Sequence, residues 1–191
     1  TAVLAIDVVG YSRLMGRNEA RTLGSLNGHR SELINPKAVQ YGGRTVKLMG
    51  DGALMEFASA VDAVRFAVEV QCTMPDRNAD VPEEERIEFR IGINVGDVID
   101  EDGDIHGDGV NVAARLEGMA STGGICVHQN VHNQVRDKLI LDFEDKGSVD
   151  AKNIERPIPV FHVVLNKKAG ALVTSVVLEQ QKPRSSTWQI A

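Results

Sequence analysis

An α+β fold, with helices packed on a mixed and mainly antiparallel sheet, follows from three features of the sequence. Alternating and helical periods interleave along the chain, some strands are joined as hairpins, and others are separated by whole helices. The first element is Ala2 to Val8, small and β-branched until Asp7, with Gly10 breaking the run; this predicts a buried strand feeding a helix. A helical pattern then runs from Tyr11 to about Gln40, weakened at Gly16 and Gly28 and stopped by Gly42-Gly43. Arg44 to Met49 and Ala53 to Phe57 alternate about Gly50-Asp51-Gly52, a strong hairpin signal that puts Asp51 at the tip and turns Lys47 away from Val46 and Leu48.

Ser59 can cap a helix whose Val61, Val64, Val68 and Cys72 recur at helical spacing, with Pro75 expected to close it. Pro82 to Glu85 reads as a solvated acidic loop, and Ile87, Phe89, Ile91, Ile93 and Val95 as a long half-buried strand. Asp97 to Gly109 is an acidic, glycine-rich turn region before a helix from Val110 to about Ala120. There follow a short strand at Ile125 to Val127, a helix around Asn130 to Arg136, and strands near Ile140 to Phe143 and Pro159 to Leu165. No period is sustained from Asn166 to Ala191, so the domain is expected over residues 1–165 and a linker or tail over 166–191.

Composition narrows the function classes. With 42% hydrophobic residues in 191, the chain can close a core. Its apolar runs fall far short of the ~18 residues a membrane helix needs. A net charge of −6, with no basic block, gives little support to a nucleic-acid surface working by counterion release. Cys72 and Cys126 show no metal-ligand spacing, which points to a reducing, cytoplasmic setting and away from structural zinc. The chain opens on Thr1 with no signal-type segment, as expected for a piece of a longer protein.

Four groups of residues could carry chemistry. Asp7 ends a strand and Asp51 tips a hairpin. If those ends adjoin, two carboxylates converge and repel unless a cation joins them, and hard oxygen ligands of this kind suit Mg²⁺ or Mn²⁺. Taken singly, Asp7 reads as a helix cap and Asp51 as an ordinary turn residue. Gly10-Tyr11-Ser12 sits where a strand passes into a helix start, whose free N–H groups attract anions, although the P-loop spacing is absent. Asn111 and Arg115 lie four apart on one helix face and offer an amide and a guanidinium fork to an anion; a solvated face with Arg115 paired to a carboxylate is the alternative. Lys47 and Asp104 complete the set, and the five scattered histidines form no ligand pattern.

Read together, Ala5 to Ser12, Val46 to Gly52, Arg90 to Gly96 and Asp104 to Glu117 resemble the catalytic domain of class III nucleotidyl cyclases, most closely the bacterial adenylate cyclases. The resemblance covers about residues 2–165. It implies a ferredoxin-like core and a head-to-tail homodimer with two active sites between the chains. Asp7 and Asp51 then match metal-binding aspartates holding two Mg²⁺ or Mn²⁺ per site, with the Val8 carbonyl as a further ligand. Lys47 and Asp104 match the purine-reading pair, Asn111 and Arg115 the ribose-orienting and transition-state residues, and Lys152 falls at the place of a phosphate-binding lysine. The arm from Asp97 to Gly103 is short and lacks arginine, so the phosphate contact usually made there has no counterpart.

Hydrogen-bond polarity favours adenine over guanine. An Asp carboxylate and a Lys ammonium complement the adenine N6 amino group and N1, whereas guanine presents the reverse pattern. The sequence reading is thus an adenylate cyclase converting ATP to 3′,5′-cyclic AMP and pyrophosphate, with a regulatory domain outside this chain. A guanylate cyclase and a non-catalytic nucleotide-sensing or dimerisation module of the same fold are the alternatives; a diguanylate cyclase would show a Gly-Gly-Asp/Glu-Glu-Phe hairpin that is absent.

Overall fold

The computed structural model describes residues 1–101, 104–150, 157–166 and 169, with the side chains at 99–101 and 104 left out. Its strands are β1 (Ala2–Val8), β2 (Gly43–Met49), β3 (Gly52–Phe57), β4 (Phe89–Val95), β5 (Ile99–Glu101), β6 (Asp104–His106), β7 (Ile125–His128), β8 (Phe143–Val149) and β9 (Ile158–Val163). The helices are α1 (Tyr11–Arg17), α2 (Glu19–His29), α3 (Asn35–Gln40), α4 (Ala60–Arg77), α5 (Asp108–Met119) and α6 (Gln129–Val135). Seven strands form one sheet in the order β2-β3-β1-β4-β7-β9-β8, in which β4 and β7 are the parallel pair. The predicted mixed, mainly antiparallel α+β architecture is what forms. Its first half, β1 to β4, is the split β-α-β arrangement of a ferredoxin-like core, with β1 between β3 and β4 and antiparallel to both.

The period-2 pattern of β1 sorts its residues onto two faces. Ala2, Leu4, Ile6 and Val8 join the main core with Phe57, Val64, Phe66, Ile91 and Ile93, beneath α2 and α4. Val3 and Ala5 point to the other face and pack with Leu54, Ile105 and Ala113 under α5. Asp7 continues that second series. Gly92 of β4 lets α5 lie directly on the sheet, because a Cβ there would stand 2.1 Å from Glu117 N and 2.3 Å from Ala113 O. Asn94, two residues on, donates its side-chain N–H to Gly109 O at 3.1 Å and ties the start of α5 to the same strand.

Several predicted boundaries move, each for a local reason. The helical stretch 11–40 is interrupted at Asn18, whose side chain accepts from Arg21 N and caps α2, and it contains a wide π-helical turn at Arg30–Ile34. Pro75 does not close α4. Its ring is exposed, and buried Met74 together with the Asn78 N–H donated to Met74 O at 3.0 Å carries the helix on to Arg77. The turn region 97–109 holds the small β5–β6 hairpin. The strand expected at Ile140 to Phe143 begins only at Phe143: Leu139 is held to the end of α6, Ile140 is 74% exposed, and the polar edge strand β8 pairs with β9 instead. Such polarity is what an unpartnered sheet edge favours. A bulge lies between Thr45 and Lys47, where Lys47 pairs with Leu54 while Val46 packs against the Leu54 cluster. The extra residue puts Lys47 on the α5 side together with Val46, which simple alternation had opposed.

Among the described residues no helix is long and apolar enough to cross a membrane. Cys126 is a fully buried thiol.

Candidate active site

Asp7 and Arg90 are partners in the β1–β4 ladder, so the register of two strands brings together residues that are 83 apart in sequence. Arg90 donates through Nη2 to Asp7 Oδ2 at 3.1 Å, and the same nitrogen lies 3.0 Å from Glu117 Oε1 on α5. The β2–β3 hairpin closes through the two residues Gly50 and Asp51, with Met49 and Gly52 as the last ladder pair. Gly50 adopts φ +65°, the left-handed region that suits glycine. Gly52 is required by proximity: a Cβ on it would come within 2.8 Å of Ile6 O and 3.2 Å of Asp7 Oδ1. The Asp51 tip is thereby laid against the end of β1.

The pair of carboxylates is electrostatically uneasy. Burial, then the Asp51 charge, raise Asp7 above the usual carboxylate range, while Arg90 pulls it back down. Glu117 is pushed up to about 7, first by burial and further by the Asp7 and Asp51 charges, with Arg90 opposing. Its Oε1 accepts no hydrogen bond among the described residues despite the nearby guanidinium, and Arg90 Nε is likewise buried without a partner there. Asp7 and Glu117 thus share one guanidinium, with the Asp51 charge acting on both carboxyls. A divalent cation between Asp7 and Asp51 would relieve that excess, so the donor set fits a hard metal ion. Among the described residues no group of three or more His, Cys, Asp and Glu side chains forms a metal cage. Two carboxylates that leave positions for substrate oxygens are the usual protein share of a Mg²⁺ site.

The sign of the Glu117 shift gives a measurable outcome. Its carboxyl keeps in the folded state a proton that the unfolded chain releases between pH ~4.5 and ~7, so metal-free protein should lose stability as pH rises through that window. Glu117→Gln should flatten the decline, which is worth roughly 1–3 kcal/mol. Denaturant titrations of both proteins at several pH values check this; parallel curves would remove the shift.

The other predicted residues fall as follows. Val8 is buried and Gly10 stands at φ +65° ahead of α1, which begins at Tyr11 and Ser12, directly beyond Asp7. Lys47 is exposed on β2. Strand β6, which Asp104 opens, lies beside β2, and Val46 and Ile105 share one apolar cluster, so the Lys47 and Asp104 positions flank a common patch. Asn111 and Arg115 are exposed on α5. Neither joins the Asp7–Arg90–Glu117 network, and among the described residues Arg115 pairs with no carboxylate. Lys152 lies outside the described residues, as does most of the expected tail. Arg90 and Glu117 carry no role in the sequence reading, although both fall inside its motif blocks. No local signal marks them, because the β1–β4 register and the seating of α5 on Gly92 create their partnership with Asp7.

A ferredoxin-like core extended by a parallel crossover and an edge hairpin, with two aspartates meeting at the end of its first strand, defines the nucleotidyl cyclase class. The sequence profile of the "Adenylate and Guanylate cyclase catalytic domain" family matches residues 1–164, and the chain belongs to that family. It is 45% identical over 160 residues to "Putative adenylate cyclase 3" of Rhizobium meliloti, an alignment covering 84% of this chain and 27% of that protein. It is 33% identical to an adenylate cyclase of Streptomyces coelicolor, over 66% of this chain and 32% of the relative. The chain therefore spans about a third or less of those relatives. Among solved structures, an adenylate/guanylate cyclase/hydrolase from Silicibacter pomeroyi superposes with a TM-score of 0.81 at 50% identity, covering 86% of this chain and 96% of that one. The adenylyl cyclase CyaB of P. aeruginosa gives 0.74 at 26% identity, with 88% and 95% covered.

Proposed function

We infer that this domain is an adenylate cyclase, forming 3′,5′-cyclic AMP and pyrophosphate from ATP at sites shared between two head-to-tail copies. The observation that supports it most is the meeting of Asp7 and Asp51 across the β1–β3 junction, while the purine-reading candidates Lys47 and Asp104 lie on adjoining strands. Asp7 and Asp51, with the Val8 carbonyl, would hold two Mg²⁺ or Mn²⁺ ions. When bound, such ions supply charge neutralisation on the phosphates and a lower pKa for the attacking hydroxyl.

The chain's own residues account for the rest. The N–H groups of Gly10, Tyr11 and Ser12 face the phosphate chain, with Lys152 as a further cationic contact. Lys47 donates to adenine N1 and Asp104 accepts from the N6 amino group. Asn111 orients the ribose so that its 3′-oxygen attacks the α-phosphorus in line with the departing pyrophosphate, the hydroxyl proton passing to Asp7, a substrate phosphate oxygen or water. Arg115 neutralises the charge that develops on the α-phosphate oxygens. The regulatory domain expected outside this chain would act by changing how the two copies meet.

The test is product formation from ATP and from GTP, each with Mg²⁺ and Mn²⁺, across protein concentration. ATP should be preferred by at least about 10²-fold in kcat/KM, since the wrong purine leaves a desolvated donor or acceptor unpaired. Specific activity should rise with protein concentration as dimers form. Equal use of GTP would overturn the purine assignment, and no product with either nucleotide would leave the non-catalytic module as the reading.

A further inference from the structure

We propose that Arg30 is a positioning residue that fixes the Asp51 turn in the geometry needed to hold a divalent cation; this rests on the metal-binding reading given above. Its Nη2 donates to Gly50 O at 2.6 Å and to Gly52 O at 3.3 Å, the two carbonyls that bracket Asp51. No aspartate atom is involved, so the guanidinium holds the backbone of the turn and leaves the Asp51 carboxylate for a ligand. Hydrogen bonds from a charged donor are stronger than neutral ones, and the two N–H groups of Nη2 can serve the two carbonyls at once.

The turn needs such a tether. It lies at the end of an edge hairpin, where among the described residues β2 pairs with β3 alone, and Lys47, Leu48 and Met49 leading into it are all exposed. Gly50 adds backbone freedom at the point where Asp51 must be placed.

Arg30 is itself well anchored. It is the first residue of the π-helical turn, and π turns inside helices are often found at functional sites. The residues around it are fastened to α4: buried His29 accepts the Arg77 Nε–H at Nδ1, 2.9 Å away, and Arg77 Nη2 meets Glu32 Oε2 at 2.6 Å. Leu33 and Ile34 close the turn in the main core. A rigid helical layer thus reaches through one side chain to the loop that carries Asp51, while Arg90 separately holds Asp7 from the opposite side. Supporting residues one step removed from a metal commonly change affinity by 10–100-fold when lost.

The experiment is a Mn²⁺ titration of the nucleotide-free protein followed by electron paramagnetic resonance, with Arg30→Ala, Arg30→Lys, Asp51→Asn and Arg44→Ala compared with the parent. Arg44 pairs with Glu56 at the far end of the same hairpin, so its loss controls for removing a surface arginine. Arg30→Ala should weaken Mn²⁺ binding by about tenfold or more. Arg30→Lys, which keeps the charge on a shorter side chain, should fall between it and the parent, and Arg44→Ala should match the parent. In turnover assays the Arg30 variants should need correspondingly more Mn²⁺ for half-maximal rate, while the ATP over GTP preference stays unchanged. Parent-like Mn²⁺ affinity in both Arg30 variants, with Asp51→Asn unable to bind, overturns the role of Arg30 alone. Parent-like binding in Asp51→Asn overturns the metal assignment beneath it. Should Arg30→Ala fail to fold, the Arg30→Lys titration decides.

Discussion

Asp51→Ala and Arg115→Ala chains, each expected to retain less than about 1% of the parent rate, should regain about a quarter of it when refolded together in equal amounts. The arithmetic follows from the shared site. Random assortment puts half of the dimers in the mixed state, and each mixed dimer has one site with both residues intact and one with neither. The structure makes the test clean because the two positions are mild ones to truncate: Asp51 occupies a two-residue turn and Arg115 an exposed helix face. Loss of activity in the parents would therefore come from chemistry and not from unfolding, which thermal melts of each chain check. Arg115 also stands apart from the Asp7–Arg90–Glu117 network of its own chain. A mixture no more active than either parent would mean that each chain completes its site from its own residues.

What the sequence made legible depended on whether the signal was local. β1 and the Asp51 turn were readable because their cues, an apolar run ending in a carboxylate and an Asp-Gly hairpin, lie within a few residues. The convergence of Asp7 with Asp51 could be stated only as a condition, since it depends on β1 and β3 becoming neighbours. Arg90 and Glu117 were opaque for the same reason: their partnership with Asp7 is created by a ladder register and by a helix resting on Gly92, neither of which leaves a periodic trace. The bulge at Val46 defeated the alternation argument for Lys47, because one inserted residue reverses the faces beyond it. β8 escaped for a different cause. Its Glu144 to Ser148 stretch is polar because it forms a sheet edge, while the more strand-like Leu139 to Leu141 is spent on ending α6 and on the core.

Gly92→Ala should be a severely damaging change, lowering both stability and activity by displacing α5 from the sheet. The added Cβ would meet backbone atoms of α5, Glu117 N at 2.1 Å, Ala113 O at 2.3 Å and Leu116 C at 2.7 Å, none of which can rotate aside as a side-chain tip could. The helix must therefore lift from β4, opening the packing of Leu116 and Ala113, both fully buried. Overpacking of this kind costs about 3 kcal/mol or more, which in a domain of this size lowers the melting temperature by at least about 6 °C. The same displacement carries Asn111, Arg115 and Glu117 with it, so whatever fraction stays folded should turn over far more slowly than the parent. Gly24→Ala supplies the contrast. It lies in the interior of α2 with no atom within 4 Å of its would-be Cβ, and there alanine should raise stability by up to about 1 kcal/mol through helix propensity. Differential scanning calorimetry with parallel turnover assays separates the two. If Gly92→Ala melts within about 2 °C of the parent and keeps its activity, α5 does not rest on β4 at that glycine, and the route by which Glu117 reaches Arg90 and Asp7 falls with it.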